Sequence, residues 1–200
     1  MMLRIAAVAA AVALASLVPS GARAADTYEI DPAHTSVQFS IRHMMISNVR
    51  GEFTKLSGKA TGDVANPTAA SVEATIDATS IDTRNEKRDE HLRSPDFLDT
   101  AKFPTLTFKS TKVEKAGDAW KLHGDLTLHG VTKPVVLDVT NVTPPTKDPG
   151  GNTLIGAQAT TKINRQDFGI VFNKTLDGGG VLVGDEISIT IDVEVIKKGA

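Results

Sequence analysis

Apolar residues recur at every second position through most of this chain. Val37, Phe39 and Ile41 alternate with Gln38, Ser40 and Arg42, and Val72, Ala74, Ile76 and Ala78 alternate with Glu73, Thr75, Asp77 and Thr79. Leu106 and Phe108 sit between Thr105, Thr107 and Lys109, and Leu122, Leu126 and Leu128 continue the pattern. Val135, Leu137 and Val139 follow Val131-Thr132-Lys133-Pro134, which reads as a turn. Ile155, Ala157, Ala159, Thr161 and Ile163 form another run, and the clearest comes last: Ile187, Ile189, Ile191, Val193 and Val195. A period of two is the mark of strands with one apolar face. Asn66-Pro67, Pro144-Pro145, Pro149-Gly150-Gly151 and Gly178-Gly179-Gly180 punctuate the runs as loops. About eight strands with short connections predict one antiparallel barrel or sandwich. A sandwich buries one sheet on another, whereas a closed barrel turns its apolar face around side chains or a ligand. The small residues Ala74, Ala78, Ala157 and Ala159 on that face favour interior space, although small residues also relieve crowding where sheets bend.

One stretch breaks the alternation. Arg84 to Leu98, RNEKRDEHLRSPDFL, holds four basic residues, four acidic residues and a histidine. Good helix formers and the absence of β-branched residues predict a helix over 84–93, solvated except at Leu92, with Asp89 and Arg93 spaced for a pair. Ser94-Pro95 should end it and cap a second helical turn, Asp96-Phe97-Leu98, whose apolar residues drop onto the barrel mouth as a lid.

The N-terminus belongs to another class of segment. Met1-Met2-Leu3-Arg4 precedes an apolar run from Ile5 to Val18, then Pro19-Ser20-Gly21 and Ala22-Arg23-Ala24. A basic start, an apolar run shorter than the ~20 residues of a spanning helix, and an Ala-x-Ala end predict a cleavable signal peptide over 1–24. Residues 25–200 then have the size of one domain. Losing Arg4 and Arg23 moves the net charge from −2 to about −4, which gives no electrostatic reason to bind nucleic acid. With no cysteine, the exported domain must hold together by its core, and thiol chemistry and thiolate metal sites are excluded.

Candidate chemistry is sparse. His34, His43, His91, His123 and His129 are scattered without His-x-His or His-Glu-x-x-His spacing, so no metal site is expected. His91 with Asp89 or Glu90 makes a poor acid-base pair, because near neighbours on a helix do not face each other. Gly124 and Gly130 follow His123 and His129 and suggest turns or bulges. There is no Gly-x-Ser-x-Gly elbow and no glycine-rich phosphate loop leading into a helix. Arg165 reads as a loop brace, paired with Asp167 or a carbonyl, in preference to a head-group contact.

Four blocks carry a family resemblance. YEIDPAHTSVQFSIRHMMISNVRGEFTKLSGKATGD (Tyr28–Asp63), SIDTRNEKRDEHLRSPDFLDTAKFPTLTFKS (Ser80–Ser110), LTLHGVTKPVVLDV (Leu126–Val139) and INRQDFGI (Ile163–Ile170) resemble, in order, the YceI-like family of exported polyisoprenoid-binding proteins. The resemblance implies an all-β fold: a single eight-stranded antiparallel lipocalin-like β-barrel with one short helical insertion at about residues 84–100. It implies a non-enzymatic periplasmic protein whose tunnel holds an isoprenoid or related long-chain lipid, with no cofactor and no stable membrane insertion. Some members are dimeric, so a homodimer is admitted. Such a ligand offers only apolar surface, and its affinity should come from burial. The inward positions expected to touch it are Phe39, Ile41, Phe53, Ile76, Phe97, Leu98, Phe103, Phe108, Leu128, Leu137, Phe168 and Phe172. Two rivals stand beside the carrier: a hydrolase or isomerase acting on an apolar lipid, and a stress-response module whose core is filled by its own side chains. The first needs an acid-base pair or a nucleophile inside the barrel.

Overall fold

The computed structural model describes residues 25–198. The signal peptide read at 1–24 lies outside the described residues. Twelve strand segments follow one another among them: β1 (Asp26–Ile30), β2 (Ser36–His43), β3 (Ser47–Phe53), β4 (Leu56–Asp63), β5 (Asn66–Asp77) and β6 (Ile81–Asp82). After the helix α1 (Glu86–Arg93) come β7 (Thr105–Ala116), β8 (Ala119–Leu128), β9 (Val131–Thr140), β10 (Thr146–Lys147), β11 (Thr153–Asn164) and β12 (Val183–Lys197).

These segments make eight barrel staves, because three staves are interrupted. β1 and β2 both pair with β12, while β3 pairs with β2 and β4 with β1. β5 then pairs with β4, and β6 with β3. The staves β1/β2, β3/β4, β5/β6, β7, β8, β9, β11 and β12 therefore neighbour one another in sequence order, all antiparallel, and β12 closes onto the first. Closure removes the open sheet edge that would otherwise invite aggregation. The little β10 pairs only with the edge of β11.

Turn chemistry sets the registers. His129 (φ 53°) and Gly130 (φ 73°) form the two-residue turn between β8 and β9, with positive φ at both positions as a tight hairpin requires. The turn is therefore here and not at Val131–Pro134, which is already strand: Pro134 pairs with Asp125. Proline is tolerated because β11 reaches β9 only at Asp138–Thr140, leaving β9 a local edge at Pro134.

The charged stretch is shorter and less solvated than its composition predicts. Arg84 has φ 61°, so it cannot be helical, and Asn85 caps α1 by accepting from the Arg88 N–H. Asp89 does not pair with Arg93. It is buried and accepts from the backbone N–H and the hydroxyl of Thr83. Arg93 instead donates to the carbonyls of Thr79 and Ile81 and lies 3.6 Å from Glu86. Nor does a second helix follow Ser94-Pro95. The chain turns back on α1, with the N–H groups of Leu98, Asp99 and Thr100 donating to Leu92, Ser94 and Arg93. That turn, with the 3₁₀ turns Ala78–Ser80 and Arg165–Phe168, covers one barrel end around buried Ala78, Ile81, Phe97, Leu98, Leu106, Leu128, Ile163, Phe168 and Ile170. Among the described residues no helix is long and apolar enough to cross a membrane.

Candidate functional site: an apolar barrel lumen

Alternation brings the same-parity residues of all eight staves onto one inner surface. They enclose a cavity of about 380 Å³ with an almost wholly apolar lining. β12 supplies Val183, Ile187, Ile189, Ile191, Val193 and Val195, and β11 supplies Ile155, Ala157, Ala159, Thr161 and Ile163. Twelve residue steps along β12, from Val183 to Val195, at ~3.3 Å each and tilted by ~40°, give the lumen a length of roughly 30 Å along the barrel axis. Many lining residues, Ile155, Ala157, Val193 and Val195 among them, are only half-buried, since they face open lumen and not a packed neighbour. A self-filled core would bury them.

Glycine shapes this interior as much as alanine does. A Cβ on Gly124 would lie 2.4 Å from the Phe108 ring, and one on Gly51 would lie 2.6 Å from the Phe39 ring. Each ring occupies the space that the missing side chain leaves. Ala78, in contrast, packs in the capped end, outside the lumen lining.

The capped end is closed by stacked rings. Phe97 lies 5.0 Å from Phe172, and His91 packs edge-on against both, at 5.0 and 5.1 Å. His91 Nε2 is also 2.8 Å from Asp96 Oδ2, so this histidine is a packing residue with a polar tip. Leu92, the lone apolar residue of α1, points with Phe97 and Leu98 to the lumen.

Arg165 is the buried cation of this end, 1% exposed. It donates to the carbonyls of Ile170 (2.6 Å), Gly184 (2.9 Å) and Val183 (3.4 Å), and to Asp185 Oδ1 at 2.9 Å. Burial pushes its pKa down and Asp185 pulls it back up. The expected brace is there, made with carbonyls and with Asp185, not with Asp167.

At the corner between β1 and β2 stands an ionic group. His34 Nδ1 is 2.7 Å from Asp31 Oδ2 and 3.6 Å from Glu194, so its pKa is raised, first by the hydrogen bond to Asp31. The same bond lowers the pKa of Asp31. These three residues place a ligand atom each within 4.8 Å of one another, on the surface and outside the lumen. Among the described residues, Lys59 and Arg165 are the only charged ones lining the lumen; Lys59 is turned to Glu73 at 3.3 Å and Arg165 to Asp185.

Residues 28–195 match the family described as the YceI-like domain. The chain belongs to the YceI-like family. It is 42% identical over 181 residues to Protein YceI of Escherichia coli O157:H7, covering 90% of this chain and 91% of that one. A UPF0312 protein of Vibrio cholerae is 42% identical over 165 residues, covering 80% and 86%. Among solved structures, the Campylobacter jejuni YceI protein matches with a TM-score of 0.67 at 34% identity, over 79% of this chain and 90% of that one. A polyisoprenoid binding domain from Saccharophagus degradans shares the fold, with a TM-score of 0.62 at 15% identity, over 86% and 98%.

Within this YceI-like barrel, Phe39, Ile41, Phe53, Ile76, Phe97, Leu98, Phe108, Leu128 and Leu137 line the lumen. Three expected positions lie outside the lining. Phe168 is 2% exposed inside the capped end. Phe172 backs Phe97, and Phe103 covers Gly130 and stacks on His129 at 4.9 Å. All three follow or precede strands, where period-two counting no longer reports facing. Ile81, Leu92, Ile170 and Val183 were missed for the same reason: they come from caps and a bulge.

Proposed function

We propose that this protein is a non-enzymatic binder of a long apolar lipid of isoprenoid type, held in the barrel lumen and carried in the periplasm. The observation that carries the reading is the lumen itself: about 380 Å³, apolar, drawn out along the barrel and walled by half-buried aliphatic residues. Such a site recognises surface and length, not polar groups, because apolar burial contributes ~25 cal/mol per Å² without direction. The polyisoprenoid binding domain of Saccharophagus degradans shares this architecture, and that supports the choice of lipid class. Among the described lining residues there is no histidine and no carboxylate, which supports binding over the acid-base chemistry of a hydrolase or isomerase. The signal peptide read in residues 1–24 supports the periplasmic location.

Reconstitution tests the reading. Delipidated protein offered a polyprenol, an isoprenoid quinone and a polar control lipid of equal chain length should retain the first two through gel filtration. Retention of the polar lipid alone, or of none, would overturn it.

A further inference from the structure

The β2–β3 hairpin has a tip that its fold does not call for. Met44 (φ 49°) and Met45 (φ 59°) both have positive φ, and the Ile46 N–H donates to the His43 carbonyl across them. Two successive residues with positive φ favour Asn-Gly, since other side chains are strained there. This chain holds two methionines and then Ile46 instead, and they are exposed: 37%, 57% and 75%. Strain kept at an exposed apolar tip points to use, not to folding.

Directly behind the tip is a pocket of mixed polar and apolar lining. His43 and Ser47, the residues that flank the turn, line it together with Asn48, Val49, Arg50, Thr83, Arg84 and Arg88. Its volume is about 360 Å³. No carboxylate is among its lining residues, and no ion pair among the described residues uses Arg50, Arg84 or Arg88. Arg88 is fixed in place, since its guanidinium donates to the hydroxyl and carbonyl of Thr83 at 2.7 and 2.8 Å. Three guanidiniums without a carboxylate partner thus line one pocket.

We propose that the hairpin tip and the arginine pocket form a docking face for an anionic phospholipid bilayer. Met44, Met45 and Ile46 enter the interface while the pocket holds a headgroup phosphate. A bilayer is the surface that sets anionic groups beside apolar depth, which is the order of groups along this hairpin. The guanidinium fork suits phosphate oxygens. Arg88 and Leu92 lie four residues apart on one face of α1, so the docking face borders the capped end of the lumen. Docking there would present that end to the membrane, a consequence that rests on the lipid-carrier reading; docking itself does not.

The test is flotation of the purified protein with vesicles of phosphatidylcholine alone or with equal phosphatidylglycerol. Binding is expected only with the anionic lipid, and should fade with added salt. Arg50→Ser with Arg84→Ser should weaken it about thirtyfold, from two lost cations near an anionic surface. Met44→Asn with Met45→Gly should weaken it about tenfold or more while raising the melting temperature, since it removes the turn strain. That opposite pair of shifts separates docking from folding. Equal binding to neutral vesicles, unchanged binding by both variants, or an affinity for inorganic phosphate or polyglutamate without binding to vesicles would overturn the proposal. Lipid content of the lumen is measured in the same samples. Vesicle binding by a barrel that is empty and takes up no offered polyprenol would uphold docking and sink the carrier reading.

Discussion

Replacing Ala157 by Leu should stabilise the protein and weaken its hold on lipid at once. Ala157 sits on β11 opposite Val193, faces the lumen and is half-buried. Leucine adds three carbons to open apolar space. At ~0.8 kcal/mol per buried methylene the empty barrel gains up to about 2.4 kcal/mol, or roughly 5–10 °C at about 2–4 °C per kcal/mol for a domain of this size. The ligand loses the same space, so its affinity should fall by about 2.4 kcal/mol, close to fiftyfold. Thermal melts of delipidated protein and quantification of lipid per barrel read the two effects separately. A core already filled by its own side chains gives the contrary result: overpacking costs about 1–3 kcal/mol, and the melting temperature drops. A lower melting temperature with unchanged lipid content would refute the open lumen.

Three further outcomes follow from the capped end and the ionic corner. Phe97→Ser with Leu98→Ser removes two buried groups that line the lumen, each worth ~1.5–3 kcal/mol, and should cost stability and speed lipid exchange together, as melts and a lipid-transfer assay will show. Arg165→Met strands the carbonyls of Ile170, Gly184 and Val183 and should cost about 3–5 kcal/mol in denaturant titration; a loss below about 1 kcal/mol would contradict the brace. His34→Gln tests the corner through pH. His34 has a raised pKa, so its contribution is full below its ordinary 6.5 and is lost as pH rises through the folded value. Asp31 has a lowered pKa, so its contribution is full above its ordinary 3.8 and is lost on acidification. The wild type should therefore outmelt the variant most at about pH 5 and least at about pH 9; a gap that widens with pH would be contrary.

The barrel was legible in the chain because alternation on β2, β5, β7, β8, β9, β11 and β12 states which side chains face inward. The breaks within the first three staves were not, since β1 and β2 pair with one β12 only in space. The charged stretch misled for a related reason. Its composition suggests a solvated helix, yet Asp89 is buried by Thr83 and His91 is stacked on two phenylalanines, partners that tertiary folding alone supplies. Phe168 looked like a ligand contact because a phenylalanine beside an alternating strand carries no label for lumen or cap. The open space itself has no motif; Ala157, Ala159, Gly51 and Gly124 hint at it only once they are known to share one inner wall.

The lumen claim is tested most directly by mass spectrometry of an organic extract of the purified, folded protein. One apolar isoprenoid-type chain per barrel is expected, released when the fold is denatured and reduced in extracts of a Phe97→Ser/Leu98→Ser double variant. A folded barrel that yields no lipid, and takes up none when a polyprenol is offered, would contradict it.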